Sequence, residues 1–355
     1  MIAGIKTSLP TTDLDHVLAH TEGLWEDLRG QGLFLTGGTG FVGMWLVESF
    51  AAINARLGLN ASACILTRNP AAAARRYPWL AANPALRYYA GDTESFEFPA
   101  GEFSHVIHAA TENDSVTEPL DPIRHFDANV QGTRRVLEFA RQSGARRVLF
   151  MSSGAVYGKQ PVTHGHIPED FTGAPSILDL ASTYAHSKRI SEFLCAAAAR
   201  KGSQSVTMGR LFAFVGPYLK LDANFAIGNF IRDAMRGGPL VISGDGTPLR
   251  SYLYAADMAV WLWTILLRGQ NGRAYNVGSD EAVSIAQLAQ RVATVVAPGA
   301  AVNVAQKADP NRLPPRYLPD ISRARYELGL EVRVSVDDAI DRTARWHQTP
   351  SHESF

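Results

Sequence analysis

The run Thr36-Gly37-Gly38-Thr39-Gly40-Phe41-Val42-Gly43 constrains the fold more than any other stretch of the chain. It follows a short apolar run, Leu33-Phe34-Leu35, and opens an amphipathic stretch from Met44 to Ala52. That is the pattern of a strand, a tight glycine turn and a helix. Gly37 supplies backbone angles that other residues avoid. Gly40 leaves the main chain open to a pyrophosphate, and Gly43 lets the helix pack close to the strand. The free N–H groups and positive end of the new helix then face the phosphates. The reading is a dinucleotide site, with an ordinary glycine turn as the alternative.

A second element strengthens that reading. Tyr184-Ala185-His186-Ser187-Lys188 places a tyrosine and a lysine one helical turn apart, on one face of a helix expected from Ser182 to Arg200. A nearby ammonium favours the phenolate, so Lys188 is expected to lower the Tyr184 pKa and make it a usable acid/base near neutral pH. Between the two motifs lies an apolar strand that ends in hydroxyls, Val148-Leu149-Phe150-Met151-Ser152-Ser153-Gly154-Ala155-Val156-Tyr157-Gly158. Parallel α/β sheets bind ligands at such carboxyl ends.

Strands are expected at 32–36, 62–67, 86–90, 104–109, 146–152 and 205–210, alternating with helices in a doubly wound pattern. An amphipathic helix from Thr11 to Arg29 precedes the first strand, so residues 1–30 read as a helical extension. Glycine and proline clusters at 216–217, 237–239 and 244–248 break the alternation after Leu211. The expectation is a Rossmann-type domain over 31–210 and a smaller mixed α/β domain over 211–347. The tail 348–355 is expected to fray.

The chain has 355 residues, with 34 Lys+Arg balancing 34 Asp+Glu. That neutrality argues against nucleic acid or an anionic membrane as partner. The two cysteines, Cys64 and Cys195, lack metal-ligand spacing, so no metal is expected and a reduced cytoplasmic protein is the natural reading. The opening Met1-Ile2-Ala3-Gly4-Ile5-Lys6 has no long apolar core and does not read as a signal peptide. The longest apolar run, Met258 to Leu267, is about half a membrane span and reads as a buried helix.

Further matches follow in order: Gly91-Asp92, His108-Ala109-Ala110, Asn129-Val130-Gln131-Gly132-Thr133, Arg210-Leu211-Phe212, Gly244-Asp245-Gly246 with Arg250-Ser251-Tyr252, Tyr275-Asn276-Val277-Gly278, and Asp320-Ile321-Ser322 with Ala324. Together with the glycine turn, the serine pair and Tyr184/Lys188, they resemble the extended short-chain dehydrogenase/reductases of the nucleotide-sugar epimerase/dehydratase family, from Gly32 to about Trp346. The resemblance implies hydride transfer between a nicotinamide and a sugar carbon, and a return of the chain to the nucleotide domain near 250–275.

By that resemblance Tyr184 is the acid/base on the sugar oxygen, Ser153 bonds the same oxygen, and Lys188 holds the nicotinamide ribose. Cofactor contacts are implied for the turn residues Thr36, Gly37, Thr39, Gly40, Phe41, Val42 and Gly43, and for Thr67 and Arg68. They are implied also for Asp92 and Thr93 near the adenine, and for Ala109, Ala110, Asn129, Met151 and Ser152. Asn129 is read mainly as a brace between strands, His108 as structural, and Ser152 as a strand-end hydroxyl bonded to backbone. Substrate contacts are implied for Thr111, Ala155, Arg210, Phe212, Arg250 and Tyr317. Arg250 would grip the nucleotide diphosphate, to which a guanidinium fork is suited.

Two departures sharpen this. The family's 4,6-dehydratases carry an Asp-Glu pair directly after the Ser/Thr, and its decarboxylases keep a Glu there. Here Gly154-Ala155 stand in those positions and can act neither as acid nor as base. Epimerisation or keto-reduction at a ring carbon remains, with a dehydratase using other carboxylates, or a non-catalytic dinucleotide-binding protein, as alternatives. Second, the second strand ends Thr67-Arg68-Asn69 without the acid that usually meets the ribose 2′-OH. This favours NADP; stacking of Arg68 on adenine, with NAD bound, is the alternative. A homodimer is expected through helices near Pro122–Gln142 and Ser182–Arg200. Ile190, Phe193, Leu194, Val130, Val136, Leu137 and Phe139 would supply its apolar faces.

Overall fold

In a computed structural model of the chain, residues 8–111, 121–202, 204–223 and 225–349 are described. The opening residues 1–7 and positions 350–355 of the tail lie outside them. Strands β1 (Gly32–Thr36), β2 (Ser62–Thr67), β3 (Leu86–Ala90), β4 (His105–His108), β5 (Arg147–Ser153) and β6 (Ser205–Leu211) fall where the apolar runs place them, within a residue or two at the ends. All pair in parallel, in the order β6-β5-β4-β1-β2-β3, and the strand Ala274–Val277 adds to the β6 edge as a seventh. This is a Rossmann-type sheet. β4 and the inner part of β5 are buried on both faces, as a parallel sheet between helical layers requires.

Two of the helices flanking the sheet begin where the sequence supplies a capping side chain. Helix α1 covers Thr11–Ala19, α2 Phe41–Leu57, α3 Pro70–Arg76, α4 Pro78–Ala81, α5 Pro122–Gln142 and α6 Thr183–Lys201. Asn69 and Asp121 accept from backbone N–H groups in the first turns of α3 and α5, each with proline at the next position. Gly58, in the left-handed region at φ 55, ends α2. The helix Ala255–Arg268 leads back to the sheet, and all its residues before Arg268 are buried, as the apolar run predicts.

The N-terminal extension differs from the single helix expected. It breaks after Ala19, and a 3-10 turn covers Trp25–Leu28. Gly23 turns the chain at φ 76, and the Trp25 indole donates to Thr21, whose hydroxyl donates back to the Val17 carbonyl. The extension is fastened by buried polar contacts. Tyr254 donates to Asp13, His16 meets Asp257, and the Leu9 N–H donates to Glu48.

Beyond Leu211 the strands are short. A three-stranded sheet joins Leu249–Arg250 to Val283–Ser284 and to Arg316–Tyr317. Leu240–Ile242 pairs in parallel with Val302–Val304. No helix among the described residues is long and apolar enough to cross a membrane.

Candidate active site

The glycine turn between β1 and α2 has the geometry its spacing implies. Gly37 lies at φ 74, and a Cβ there would meet the Ala110 nitrogen at 2.5 Å. A Cβ at Gly43 would stand 2.1 Å from the Gly37 carbonyl oxygen, so only glycine lets α2 approach this closely. Gly40 is different. A Cβ there would have one neighbour within 4 Å, the Gly37 carbonyl at 3.4 Å. The protein leaves that space open at the start of α2, where no side chain caps the helix. An uncapped helix N-terminus beside an unfilled cradle fits a pyrophosphate. Thr39, Phe41 and Val42 are half-buried around it.

Thr36 is wholly buried and spent on internal bonds. Its hydroxyl meets His108 Nδ1 at 2.8 Å and accepts from the Ala110 N–H, while its carbonyl accepts from Ala109. His108 Nε2 continues to Thr133, which reaches Ser191. Burial holds His108 neutral, with its pKa pushed down to about 3. This chain locks β1, β4, α5 and α6 beneath the turn, and the Thr36 hydroxyl is committed to it.

Thr67 and exposed Arg68 stand at the carboxyl end of β2, with no acidic residue before the Asn69 cap. Asp92 closes its own turn after β3, accepting the Glu94 N–H, and Thr93 packs against Gly132 of α5. Asn129 accepts from Thr111 and donates to the His125 carbonyl, which fixes the orientation of its amide.

Ser153 ends β5 and accepts the Ala155 N–H at the start of a 3-10 turn over Gly154–Tyr157. Tyr184 stands in the first turn of α6, and Ser153 and Thr111 are near enough to its hydroxyl to oppose the rise in its pKa. The structure thus brings Thr111, Ser153 and Tyr184 to one point.

Lys188 is also there, but its effect differs from the expected one. Its ammonium donates to the Met151 carbonyl at 2.8 Å, lies 4.8 Å from the Phe150 ring centre and 5.8 Å from that of Tyr184. Burial lowers the Lys188 pKa to about 8. Burial also raises the Tyr184 pKa, against the partial opposing pull of Ser153 and Thr111. Held on the strand end, Lys188 does not depress the phenol.

Two other expectations are corrected. Arg210 points inward: its guanidinium forks onto Glu192 and also donates to the Tyr157 hydroxyl and the Glu169 carbonyl. The pair is largely buried, which ties β6 to α6 and leaves Arg210 committed within the fold. Ser152 bonds Glu192 rather than backbone. Composition hides this role of Glu192, although its place one turn beyond Lys188 is a signal the sequence offers.

The remaining predicted residues meet from the far side. Tyr317 and Arg250 are register partners in the three-stranded sheet, and the Phe212 and Tyr317 rings lie 4.7 Å apart. A Cβ at Gly154 would stand 2.6 Å from the Tyr317 hydroxyl oxygen and 2.7 Å from Phe212. The side-chain space of position 154 is therefore already filled. Ala155 is half-buried beside it. Arg250 donates to the Leu249 carbonyl and has no carboxylate partner among the described residues. Among the described residues no group of His, Cys, Asp and Glu could hold a metal.

Residues 33–278 match the model of the NAD dependent epimerase/dehydratase family. The chain belongs to that family. Its curated relatives include UDP-glucuronic acid decarboxylase 3 of Arabidopsis thaliana, 28% identical over 67% of this chain and 68% of that one. The UDP-glucuronic acid decarboxylase 1 of Xenopus tropicalis is 27% identical over 69% of this chain and 57% of its own length. Among solved structures, a double mutant of the dTDP-glucose 4,6-dehydratase of Streptomyces venezuelae, with NAD bound, superposes with a TM-score of 0.74 at 26% identity. The match covers 89% of this chain and 97% of that one. The UDP-N-acetylglucosamine 4-epimerase of Methanobrevibacter ruminantium superposes with a TM-score of 0.76 at 20% identity, over 89% and 98%. That second likeness concerns the fold.

Proposed function

We propose that this family member acts on a nucleoside-diphosphate sugar at a ring carbon bearing a hydroxyl, as an epimerase or a 4-ketoreductase. The observation that carries the reading is the filled space at Gly154. The Tyr317 hydroxyl and the Phe212 ring occupy the side-chain space of position 154, where the family's dehydratases carry a carboxyl group. Hydroxyls suit proton transfer at a sugar oxygen during redox; they are poor bases toward carbon. Tyr184 moves the proton at the substrate oxygen, Ser153 holds that oxygen, and Arg250 faces the diphosphate.

A nicotinamide cofactor supplies the hydride chemistry when bound. The turn Gly37–Gly43 would hold its pyrophosphate, with Thr67 and Arg68, Asp92 and Thr93, Ala109 and Ala110, and Met151 lining the rest. We propose NADP over NAD, because Arg68 stands at the end of β2 where an acid would select the unphosphorylated ribose.

The decarboxylases among the relatives favour a second reading, decarboxylation of a UDP-uronic acid, and one panel separates the two. Purified protein is incubated with NAD, NADP and NADPH and with UDP-glucose, UDP-glucuronic acid, and dTDP-, CDP- and GDP-linked hexoses, and products are weighed by mass spectrometry. The expected product is an epimer of unchanged mass, separated from its substrate by chromatography, or, when a nucleoside-diphosphate 4-keto sugar is supplied with NADPH, a sugar that has gained two hydrogens. Loss of carbon dioxide or of water at an enzymatic rate overturns the proposal.

We propose further that the protein is a homodimer through α5 and α6. Phe193 is 68% exposed, Ile190 42% and Ile123 74%, and all three lie on these helices. Val130, Val136 and Phe139, expected to share that surface, are instead buried within the chain's own core or helical layer. Light scattering at micromolar concentration tests this: twice 38.6 kDa is expected, and the single mass overturns it.

A further inference from the structure

The segment Ser152–Tyr157, which carries Ser153, Gly154 and Ala155, is held at both ends by one ion pair. At the near end the Ser152 hydroxyl donates to Glu192 Oε1 on α6. That carboxylate also takes the Arg210 fork, Nε to Oε1 at 2.9 Å and Nη2 to Oε2 at 2.7 Å. At the far end Arg210 Nη1 donates to the Tyr157 hydroxyl at 2.8 Å. Tyr157 donates its own proton to Asn276 Oδ1 at 2.7 Å, and the Asn276 amide donates to the Ile167 and Asp320 carbonyls at 2.9 Å each. Between the two pins the chain makes one tight turn. Ser153 is extended, at φ −146 and ψ 148, and its hydroxyl accepts from the Ala155 N–H. The Ala155 carbonyl accepts from the Gly158 N–H. One residue before the near pin, the Met151 carbonyl accepts from Lys188. Lys188 and Glu192 lie one turn apart on α6, so one helix face grips two successive residues of the strand end.

We propose that Glu192 and Arg210 are positioning residues of the reaction centre: as a clamp on both ends of Ser152–Tyr157, they set where the Ser153 hydroxyl stands. Its kinetic consequence rests on the reading of Ser153 and Tyr184 as the groups on the sugar oxygen. Both clamp side chains are largely buried, 15% exposed for Arg210 and 13% for Glu192. A buried ion pair is often no more stabilising than apolar residues of the same volume. What the pair adds here is geometry. A guanidinium fork has donors left over, so Arg210 satisfies Glu192 and still reaches Tyr157. Both clamp residues stand on regular elements, β6 and α6, and such elements hold a site more closely than a turn holds itself.

The test uses the full chain and loosens the clamp without stranding a buried charge. Ser152→Ala releases the near end. Tyr157→Phe releases the far end and keeps the ring. Arg210→Lys keeps the charge, but one ammonium cannot span Glu192 and Tyr157 as the fork does. The substrate-free readout is the Ala155 amide in 15N-alanine-labelled protein, assigned by its loss in Ala155→Gly. Each variant is expected to shift that resonance and to speed its hydrogen exchange about tenfold, for the loss of one hydrogen bond. The double variant of Ser152→Ala and Tyr157→Phe is expected to add little to the larger single effect, since either release already frees the turn. An Ala155 amide unmoved in these variants, or exchange effects that multiply in the double variant, overturns the clamp. So does a lowered melting temperature with that amide unchanged, which would give the pair a role in stability alone. If Arg210→Lys does not fold, the two end variants and their double decide.

The kinetic readout uses whichever sugar the panel identifies. Each variant is expected to lower kcat about 2- to 10-fold with KM little changed. A raised KM at unchanged kcat overturns the proposal. If no sugar is turned over, the functional reading fails, while the Ala155 amide still decides the clamp.

Discussion

The two sides of the candidate site are built by different means. The nucleotide side is made of backbone: three glycines, an uncapped helix start, and a buried polar chain through Thr36 and His108 that holds them. Its parts lie close together in sequence at the turn itself. The reaction side is made of side chains from distant segments. Thr111, Ser153, Tyr184 and Tyr317 come from after β4, from β5, from α6 and from the strand Arg316–Tyr317. A backbone site depends on close approach and tolerates variation around it. A side-chain site depends on each hydroxyl having its partner, and one altered group leaves the next unsatisfied.

The largest effect is expected on the reaction side. Tyr184→Phe should lower turnover about 10²- to 10⁴-fold with cofactor binding kept. Steady-state kinetics and a cofactor titration check this, and turnover within a few-fold of the parent would remove Tyr184 from the chemistry.

The next lies under the nucleotide side, on α2, where the buried Glu48 accepts from Leu9 and Tyr218. Burial pushes its pKa up from 4.5 to about 7. A carboxyl raised in the folded state binds more protons than the unfolded chain between those values. Its stabilisation is therefore whole below pH 4.5 and is lost as pH rises through 7, by on the order of 3 kcal/mol. Glu48→Gln should remove that slope. Urea melts of parent and variant at pH 5, 6.5 and 8 should show the variant gaining on the parent as pH rises. A constant difference would mean that Glu48 does not change its ionisation on folding. His105 and His108, held neutral by burial at about 4 and about 3, add stability that is lost as pH falls below their ordinary 6.5. Comparison at each pH with the parent cancels that contribution.

A pair of alanines separates the two constructions directly. Gly154→Ala drives a methyl into the Tyr317 hydroxyl and should cost about 1–3 kcal/mol of stability. Gly40→Ala meets no such obstacle and has ordinary helical-start angles, φ −84, so its stability should stay within about 0.5 kcal/mol. Its dinucleotide affinity should fall, because the methyl enters the open cradle. Melting temperatures and cofactor titrations of both variants test the contrast. Equal destabilisation by the two would erase it.

The smallest effect concerns the cofactor's ribose. Arg68→Ala should weaken NADP about tenfold and leave NAD within about twofold, since a charge-assisted bond to a 2′-phosphate is lost only for the former. Equal losses would assign Arg68 to adenine stacking.

What could be read in advance was local. The glycine turn and the apolar strand runs each act within a few residues. The order of the parallel sheet follows from how such elements pack. Tyr184 and Lys188 were legible as one face of one helix. Whether Lys188 lowers the Tyr184 pKa was not, because that depends on a carbonyl at Met151 that captures the ammonium. Arg210 resembles a substrate ligand in sequence and is committed to Glu192 in space, a contact between a strand and a helix that no local pattern encodes. The Gly154-Ala155 departure was visible as a missing pair of carboxyls. Only the tertiary structure decided that Tyr317, from a strand far along the chain, fills the vacated space. Local backbone preference is written residue by residue. The partner of a buried hydroxyl or charge is chosen by whichever distant segments the packing brings within about 3 Å.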